Sequence, residues 1–599
     1  MPVYPPRGKV NKQHTWNSET VFANEAAWQA ELGSILGALD SVRKFQGTLG
    51  QSPSNLRQAL EVRDQLWVRA QRVYMYAAFA QAVDTTNQKA AGLQGQAESM
   101  SGHVAAALAF FAPELIALGH GRLREWMQQD RQLAVHAHSI DDLFRRQAHV
   151  RSGEVEEILG MLVDPFDGPA NTGSLLTNAD FQFEPAVTST GARLEVTQSS
   201  LTRILLSSDR TARQSAWNHY MDRHLEFKNT LASNLITSIK ANVFRARARR
   251  HDSTLAASLF DNNVPADVFH NLPGTFKRYL PVWHRYFEVR RKALWQRGLT
   301  YYDMWAPLGR KKHRLTFDQA VDMIAVGLTP LGREYTQTLR RGCLEQRWVD
   351  WVPNKGKANG AFSYGAPGTH PFIMMSFTGD VAGMSTLAHE LGHSMHSYLT
   401  WKYQPLVYSD YSLFVAEVAS NFHQAMVRAH LLKTSKDTDF QIALIEEAMG
   451  NFFRYLFQMP ILARFELETH RRIEQGKSLT ADDMTELLAD LFTEAFGPNV
   501  RIDRPRVGMV WSTFGHLFAD YYVYQYATGI SGAHALAGRV LRGGPGAAHD
   551  YLGFLKAGSS AYALDLLRQA GVDLATTKPV EETFAVMEEY IDRLEKLLG

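Results

Sequence analysis

Apolar residues recur every three to four positions along most of the first 160 residues, which is the spacing of amphipathic helices. Leu66 and Val73, which are two turns apart, follow this period in one segment, and Ile140 and Leu143 follow it in another. A helix with such a stripe buries it against a neighbouring element. The pattern therefore predicts a helical N-terminal region.

The pattern changes between about residues 164 and 200. Residues 164–180 (DPFDGPANTGSLLTNAD) are rich in Gly, Pro, Asn and Thr, which are typical of turns. Residues 181–197 (FQFEPAVTSTGARLEVT) alternate apolar and polar positions on both sides of Ser-Thr-Gly, and this predicts a β-hairpin. We therefore expect an N-terminal helical region, residues 1–200, that ends in the hairpin, and a second region, residues 201–599.

Helical spacing dominates the second region, with one interruption. Residues 351–383 are rich in glycine and proline and surround a short apolar run, Pro371 to Phe377, which predicts a buried strand. Helix patterns return from Met384 to the C-terminus. The sequence thus predicts a mainly α protein with a small β region.

Composition places the chain in the globular class. Its 599 residues are 45% hydrophobic, so disordered and fibrous classes are excluded. The 63 Lys and Arg residues balance 61 Asp and Glu residues, and a net charge of +2 gives no reason to expect a nucleic-acid partner. Cys343 is the single cysteine, so no intrachain disulfide can form, and this favours a reducing compartment.

No segment of the sequence predicts a membrane association. The N-terminal residues lack the apolar core of a secretion signal. The longest apolar stretch, Val104 to Ala112, is far shorter than the roughly 20 residues that span a bilayer. We expect a cytoplasmic protein without a membrane partner, and the sequence predicts no particular oligomeric state.

The chemistry is concentrated in residues 385–400, STLAHELGHSMHSYLT. His389 and His393 frame an H-E-x-x-H motif. Residues four apart lie on one face of a helix, so both imidazoles can reach one Zn²⁺ ion. Glu390 lies about 100° round the helix from His389, where it can act as a general base without binding the metal. The motif predicts a zinc hydrolase.

A catalytic zinc ion needs a third protein ligand and an open position for water. The metzincin pattern is excluded because His396 and Leu399 occupy the positions of its later Gly and His. His396 lies two turns from His389 and is expected to be a packed histidine. Glu417 follows His393 by 24 residues, which fits a second helix that returns past the motif, and its neighbours are apolar. A carboxylate in such a stretch is costly to bury unless it is paired or bound to metal.

HELGHSMH followed by FVAEVAS resembles the M3 family of zinc metallopeptidases, and within it the oligoendopeptidase F branch. Further blocks along the chain, such as GKANGAFSYGAPGTHPFIMMSF and YYVYQYATG, resemble the same branch in the same order. The resemblance implies a gluzincin-type fold of helical lobes around a deep substrate channel, with a small β region beside the active site. It also implies a metalloendopeptidase that binds one Zn²⁺ ion per chain and cleaves short peptides.

The resemblance assigns roles to seven positions of this sequence. His389, His393 and Glu417 match the zinc ligands, and Glu390 matches the catalytic glutamate. The remaining three match a histidine and two tyrosines that face the metal in the family: His516, Tyr521 and Tyr524. Tyr521 and Tyr524 share one helical face, and Tyr522 and Tyr526 form the other same-face pair, so a small shift of the alignment would exchange the pairs.

One position departs from the branch, which commonly has Asn-Glu where this sequence has His423-Gln424. Gln424 keeps a hydrogen-bonding group but lacks the charge, so the departure concerns the tuning of the zinc ion rather than its presence.

Two alternatives to a zinc endopeptidase stay open. An exopeptidase would need a charged anchor for a peptide terminus, and the sequence identifies none. A non-catalytic peptide-binding protein with a structural metal would be expected to use four protein ligands, often including cysteine.

Overall fold

The computed structural model describes residues 4–309, 311–543 and 546–599, and within them the chain is mainly helical, as the sequence predicts. The helices of the first part are α1 (Glu25–Arg43), α2 (Pro53–Val83), α3 (Gln88–Leu108), α4 (Phe111–Leu118), α5 (His120–Gln129), α6 (Ala137–Arg146), α7 (Gly153–Met161), α8 (Val163–Leu175) and α9 (Gln198–Leu205). Those of the middle part are α10 (Arg210–Glu226), α11 (Lys228–Ala248), α12 (Thr254–Asp261), α13 (Ala266–Arg278), α14 (Leu280–Ala293), α15 (Phe317–Gly327) and α16 (Arg333–Leu344).

The last part, which contains the H-E-x-x-H motif, is also built of helices. They are α17 (Val381–Tyr403), α18 (Leu413–Thr434), α19 (Thr438–Phe452), α20 (Met459–Glu474), α21 (Ala481–Phe496), α22 (Arg504–Gly508), α23 (Val523–Leu541), α24 (Ala547–Ala557), α25 (Ala563–Gln569) and α26 (Lys578–Leu598).

Short strands form three small sheets within the described residues. They are β1 (Ala186–Val187), β2 (Arg193–Leu194), β3 (Leu299–Thr300), β4 (Val349–Asp350), β5 (Phe362–Tyr364), β6 (Phe372–Met374) and β7 (Val500–Arg501). β1 and β2 pair antiparallel and confirm the predicted hairpin. β6, the predicted strand, lies between β4, which is parallel to it, and β5, which is antiparallel.

The chain forms two compact units, each made of separate stretches of sequence. The first unit comprises residues 1–148, 314–430 and 536–571, and the second comprises residues 149–313, 431–535 and 572–599. These boundaries do not include residue 200. The predicted division into residues 1–200 and 201–599 was based on the change in residue pattern between residues 164 and 200, and it stays a prediction.

Each unit has its own apolar core. In the first unit, α1, α2 and α3 bury a continuous cluster that includes Trp28, Leu60 and Met100. In the second unit, aromatic rings pack together, and the Phe457 ring lies 5.0 Å from Trp283 and 4.7 Å from Phe496.

Residues Gln88–Leu118 contain a window apolar enough to cross a membrane by length and composition, with a mean hydropathy of 1.5. The expectation from sequence concerned an uninterrupted apolar run, and a single helix of this kind is weak evidence for a membrane span. Core helices pass the same test. Here α3 and α4 divide the stretch, and Leu93, Ala97 and Met100 pack into the core of the first unit.

The prediction of turns over residues 164–180 was wrong. The segment forms α8, with Pro169 inside it, and continues as a π-helix, Leu176–Asp180. Tertiary contacts outweigh the local preferences: Phe166 packs edge-to-face on Phe244 of α11, and Gly173 lies against the Phe518 ring.

Candidate active site

The local sequence sets both ends of the helix that carries the motif. The Asp380 side chain accepts a hydrogen bond of 2.9 Å from the Gly383 N–H, which caps the start of α17. The helix ends at Tyr403, because Gln404 precedes Pro405 and adopts an extended conformation. His389, Glu390 and His393 lie in the middle of this helix, as predicted.

A glycine lets the second helix cross close to the first. A Cβ atom on Gly392 would lie 2.5 Å from the Ala419 carbonyl oxygen and 2.6 Å from the Ser420 Cα, so no side chain fits between α17 and α18 here. Glu417 lies on α18 next to this crossing. The crossing thus brings the predicted third ligand to the histidines.

His389, His393 and Glu417 form one cluster, with ligand atoms that all lie within 4.8 Å of one another. Among the described residues it is the one group of this kind. His389 Nε2 lies 3.4 Å from Glu417 Oε2. Two ligands about 2.0–2.1 Å from a tetrahedral zinc ion are separated by about 3.3 Å. The donor set of two nitrogens and one carboxylate therefore fits a catalytic zinc ion.

Polar neighbours orient two of these three side chains. His389 Nδ1 lies 3.2 Å from Gln424 Oε1, and Gln424 Nε2 donates to Ser385 Oγ at 2.8 Å. With Gln424 held this way, its oxygen accepts the Nδ1–H proton and leaves Nε2 free for a metal. On α18, Ser420 Oγ donates to Glu417 Oε2 at 3.0 Å. Gln424 thus uses the hydrogen-bonding group that it keeps in place of the glutamate of the branch.

Burial sets the protonation of the two central residues. It lowers the pKa of His393 to about 4, so its imidazole is neutral at pH 7, which is the form that binds metal. Burial also raises the pKa of Glu390 to about 7, although nearby His389 acts in the opposite direction. A pKa near the working pH suits a general base.

His396 is a packed residue, as expected. It is 1% exposed, and its ring stacks on Tyr411 with a centroid distance of 3.7 Å. Burial lowers its pKa to about 3. It is absent from the metal cluster, and its ring packs against those of Tyr411 and Phe554.

The small three-stranded sheet lies beside α17. Ser363 Oγ of β5 lies 2.8 Å from Ser394 Oγ, the residue that follows His393. β6 pairs with a strand on both sides, so its backbone is already hydrogen-bonded within the sheet. β4 and β5 are the two edge strands; β4 is buried, whereas Phe362 and Ser363 of β5 are half-buried and Tyr364 is exposed.

The late histidine and the tyrosines all lie in the second unit. Tyr526 Oη lies 3.4 Å from His516 Nε2 and 3.4 Å from Tyr522 Oη, and the three rings contact one another. We call His516, Tyr522 and Tyr526 the His–Tyr cluster. All three side chains are partly exposed. The cluster therefore lies at the surface of the second unit rather than in its core.

Tyr521 and Tyr524 are not part of this cluster. They are 1% and 2% exposed, and both rings pack edge-to-face against Phe269. Tyr521 lies near Thr254, 3.3 Å away between hydroxyl oxygens. The second same-face pair, which the sequence left as an alternative, is the one that accompanies His516.

Sequence reasoning missed three contributors to the site. Gly392 is an unspecified position of the motif, although a glycine inside a helix is a signal of close packing. Gln424 was noticed only as a departure. Ser420 gave no signal, because its spacing of three from Glu417 has meaning only once Glu417 is a ligand.

Comparisons with known proteins agree with these features. The model described as "Peptidase family M3" matches residues 204–586, and the one described as "Oligopeptidase F" matches residues 114–183. Oligopeptidase PepF of Bacillus subtilis is 35% identical over 595 residues, which cover 99% of this chain and 88% of that protein. Group B oligopeptidase PepB of Streptococcus agalactiae is 32% identical, covering 99% of this chain and 98% of that protein.

Solved structures give the same likeness. The crystal structure of oligoendopeptidase-F from Enterococcus faecium matches with a TM-score of 0.75 and 28% identity, covering 96% of this chain and 99% of that one. The structure of PZ peptidase A with an inhibitor matches with a TM-score of 0.70 at 16% identity, a likeness of fold alone.

Proposed function

Because the chain belongs to peptidase family M3 and is a metalloendopeptidase, we propose that it hydrolyses short oligopeptides with one zinc ion held by His389, His393 and Glu417. The observation that carries this proposal is the convergence of the three side chains, with ligand atoms within 4.8 Å of one another. A bound zinc ion supplies Lewis-acid catalysis by polarising the scissile carbonyl and acidifying a water molecule.

Glu390 is the general base. It takes a proton from the attacking water and passes it to the leaving amine. Its neighbourhood supports this role, because burial raises the pKa of the carboxyl to about 7. A carboxylate with that pKa can accept a proton and release it again within one reaction cycle.

The His–Tyr cluster donates hydrogen bonds to the substrate oxyanion. The resemblance implies that a histidine and two tyrosines face the metal, and Tyr522 and Tyr526 lie next to His516. We therefore assign the task to Tyr522 and Tyr526 rather than to the buried Tyr521 and Tyr524. A hydrogen-bond donor that binds the oxyanion as its negative charge develops lowers the free energy of the transition state. It thereby accelerates the reaction.

An extended peptide is the substrate, and β5 is the surface that would bind its backbone. Edge strands bind peptides through backbone hydrogen bonds, with little dependence on sequence. The contact between Ser363 and Ser394 holds β5 beside α17, the helix that carries His389 and His393.

The test uses an internally quenched peptide that is blocked at both ends, which an endopeptidase cleaves and an exopeptidase does not. The purified protein should contain one zinc ion per chain, lose activity with a chelator and regain it with zinc. Glu390→Gln should retain the metal and lose nearly all turnover.

Each failure in that test has its own meaning. Substantial turnover by Glu390→Gln would remove Glu390 from the general-base role. A chain that binds metal and peptide but cleaves neither blocked nor free peptides would be the non-catalytic binding protein. The cytoplasmic location stays a prediction.

A further inference from the structure

A buried carboxylate lies where the chain enters α23. Glu466 of α20 is 1% exposed, and its Oε1 accepts a hydrogen bond of 2.8 Å from the Tyr521 backbone N–H. Burial, reinforced by the Asp520 carboxylate, raises the pKa of Glu466 well above its usual value. A carboxyl group is costly to bury, and the mechanism proposed above does not use it.

The residue that Glu466 binds has an unusual backbone. Tyr521 has a φ of 47°, in the left-handed region that favours glycine. A bulky side chain adopts this conformation only where its surroundings hold it there. The hydrogen bond from its N–H to Glu466 is one such restraint.

The side chain of Tyr521 is restrained as well. Its ring lies 5.6 Å from Phe269 and 4.9 Å from His470. Thr254 Oγ1 donates to Glu474 at 2.7 Å, so the Tyr521 hydroxyl is the donor in its 3.3 Å contact with Thr254. Tyr521 is thus fixed at the backbone and at the ring.

Fixing Tyr521 sets the direction of the next residue. Tyr521 is buried in the core of the second unit, whereas Tyr522 is partly exposed and its ring lies 5.7 Å from His516 and 5.2 Å from Tyr526. A change in the backbone at position 521 would rotate Tyr522 away from these partners.

We propose that Glu466 is a positioning residue, which holds the left-handed turn at Tyr521 and thereby aims Tyr522 into the His–Tyr cluster. The inference rests on the proposed oxyanion role of that cluster. Glu466 itself touches no substrate and acts through Tyr522.

The acceptor oxygen, rather than a negative charge, is the feature that the turn needs. The raised pKa favours the neutral carboxyl, and a glutamine amide offers the same carbonyl oxygen. Glu466→Gln should therefore keep the turn and the activity, while Glu466→Ala removes the acceptor.

The experiment is a double-mutant cycle on the zinc-loaded enzyme with a blocked quenched peptide. We measure kcat and KM for the parent, Glu466→Ala, Tyr522→Phe and the double variant, with Glu466→Gln as the conservative control. Glu466→Ala should lower kcat about 10–100-fold with little change in KM, since a small misplacement of a catalytic group costs that much. In the Tyr522→Phe background the same change should have almost no further effect.

Several results would overturn the inference. If Glu466→Ala lowers kcat equally with Tyr522 and with Phe at position 522, the role of Glu466 is merely structural. If Glu466→Gln lowers kcat as much as Glu466→Ala does, the turn needs a negative charge. If Tyr522→Phe lowers kcat and Glu466→Ala does not, the positioning role fails and the proposed function survives. If Tyr522→Phe has no effect, the oxyanion role of Tyr522 fails, and the inference fails with it.

Should Glu466→Ala not fold, Glu466→Asp replaces it in the cycle. The aspartate keeps a carboxyl group but withdraws it by one methylene from the Tyr521 N–H. We expect Glu466→Asp to lower kcat in the chain that keeps Tyr522 and to have almost no effect in the Tyr522→Phe chain.

Discussion

Gln424 is an uncharged residue that orients His389, one of the three proposed metal ligands. Its oxygen lies 3.2 Å from His389 Nδ1, and Ser385 fixes the amide from the other side. A hydrogen bond at this position selects the tautomer in which Nε2 faces the metal.

Removing this oxygen should weaken metal binding. We expect Gln424→Ala to lower zinc affinity about 10–100-fold, in line with the loss of a hydrogen bond to a metal-bound histidine. Gln424→Glu keeps an acceptor and should bind zinc at least as tightly as the parent. Competition with a chromogenic chelator measures both affinities, and an unchanged affinity in the alanine variant would show that His389 needs no support from Gln424.

The two tyrosine pairs should differ in how strongly the loss of a hydroxyl group lowers kcat. Tyr526→Phe should lower kcat about 100-fold with little change in KM, because its hydroxyl is proposed to bond mainly to the transition state. Tyr524→Phe, the matched change on the buried face, should leave kcat close to that of the parent. Steady-state kinetics on one peptide compare the two. A loss of kcat confined to Tyr524→Phe would restore the pair that the resemblance first indicated.

At the scale of elements, the crossing of α17 and α18 is the feature on which the metal cluster depends. Gly392→Ala would place a methyl group 2.5 Å from the Ala419 carbonyl oxygen, so the helices must separate and Glu417 must move from the histidines. We expect this variant to lose most of its zinc and its activity while staying largely helical. Metal analysis and circular dichroism measure the two effects.

Gly450→Ala is the control for the crossing. Gly450 lies inside α19, and nothing lies within 4 Å of an added Cβ atom, so alanine should be neutral or slightly stabilising there. If Gly392→Ala retained full zinc content, the close approach of the helices would be irrelevant to the site.

The sequence predicts elements well where their own pattern determines them. The H-E-x-x-H helix, the return helix with Glu417 and the β1–β2 hairpin follow from periodicity and turn residues, and all three are present. α8 could not be predicted in this way, because its composition favours turns and its stability comes from packing on α11. Contacts between distant segments, such as Gly392 against Ala419, leave no trace in a local pattern.

At the scale of the whole molecule, the chain crosses between two units five times, at residues 148, 313, 430, 535 and 571. The pattern of residue types along the sequence cannot reveal such a division. Helices of one unit can be hundreds of residues apart in the sequence. The resemblance indicated the three proposed zinc ligands and the late histidine. It left open which tyrosine pair accompanies that histidine, and only the packing of each ring answers this.

A buried ion cluster in the second unit links the stability of the fold to pH. Burial alone would raise the pKa of Asp303, but hydrogen bonds from Arg210, Arg213 and Thr300 outweigh it and hold the pKa below its usual value. A carboxyl group with a lowered folded-state pKa stabilises the protein above its unfolded pKa, about 3.9, and this stabilisation is lost as the pH falls through the folded-state value.

Asp303→Asn should therefore lower the melting temperature most at neutral pH. Breaking a buried pair while leaving Arg213 in place costs about 3–5 kcal/mol. The difference in melting temperature between parent and variant should shrink as the pH falls below about 4, because the unfolded parent then binds a proton at Asp303 that the folded parent does not. Asp490→Asn is the matched control, because Asp490 is 70% exposed in its pair with Arg504 and such pairs contribute little. A difference that stayed constant from pH 7 to pH 3 would show that Asp303 acts through shape rather than charge.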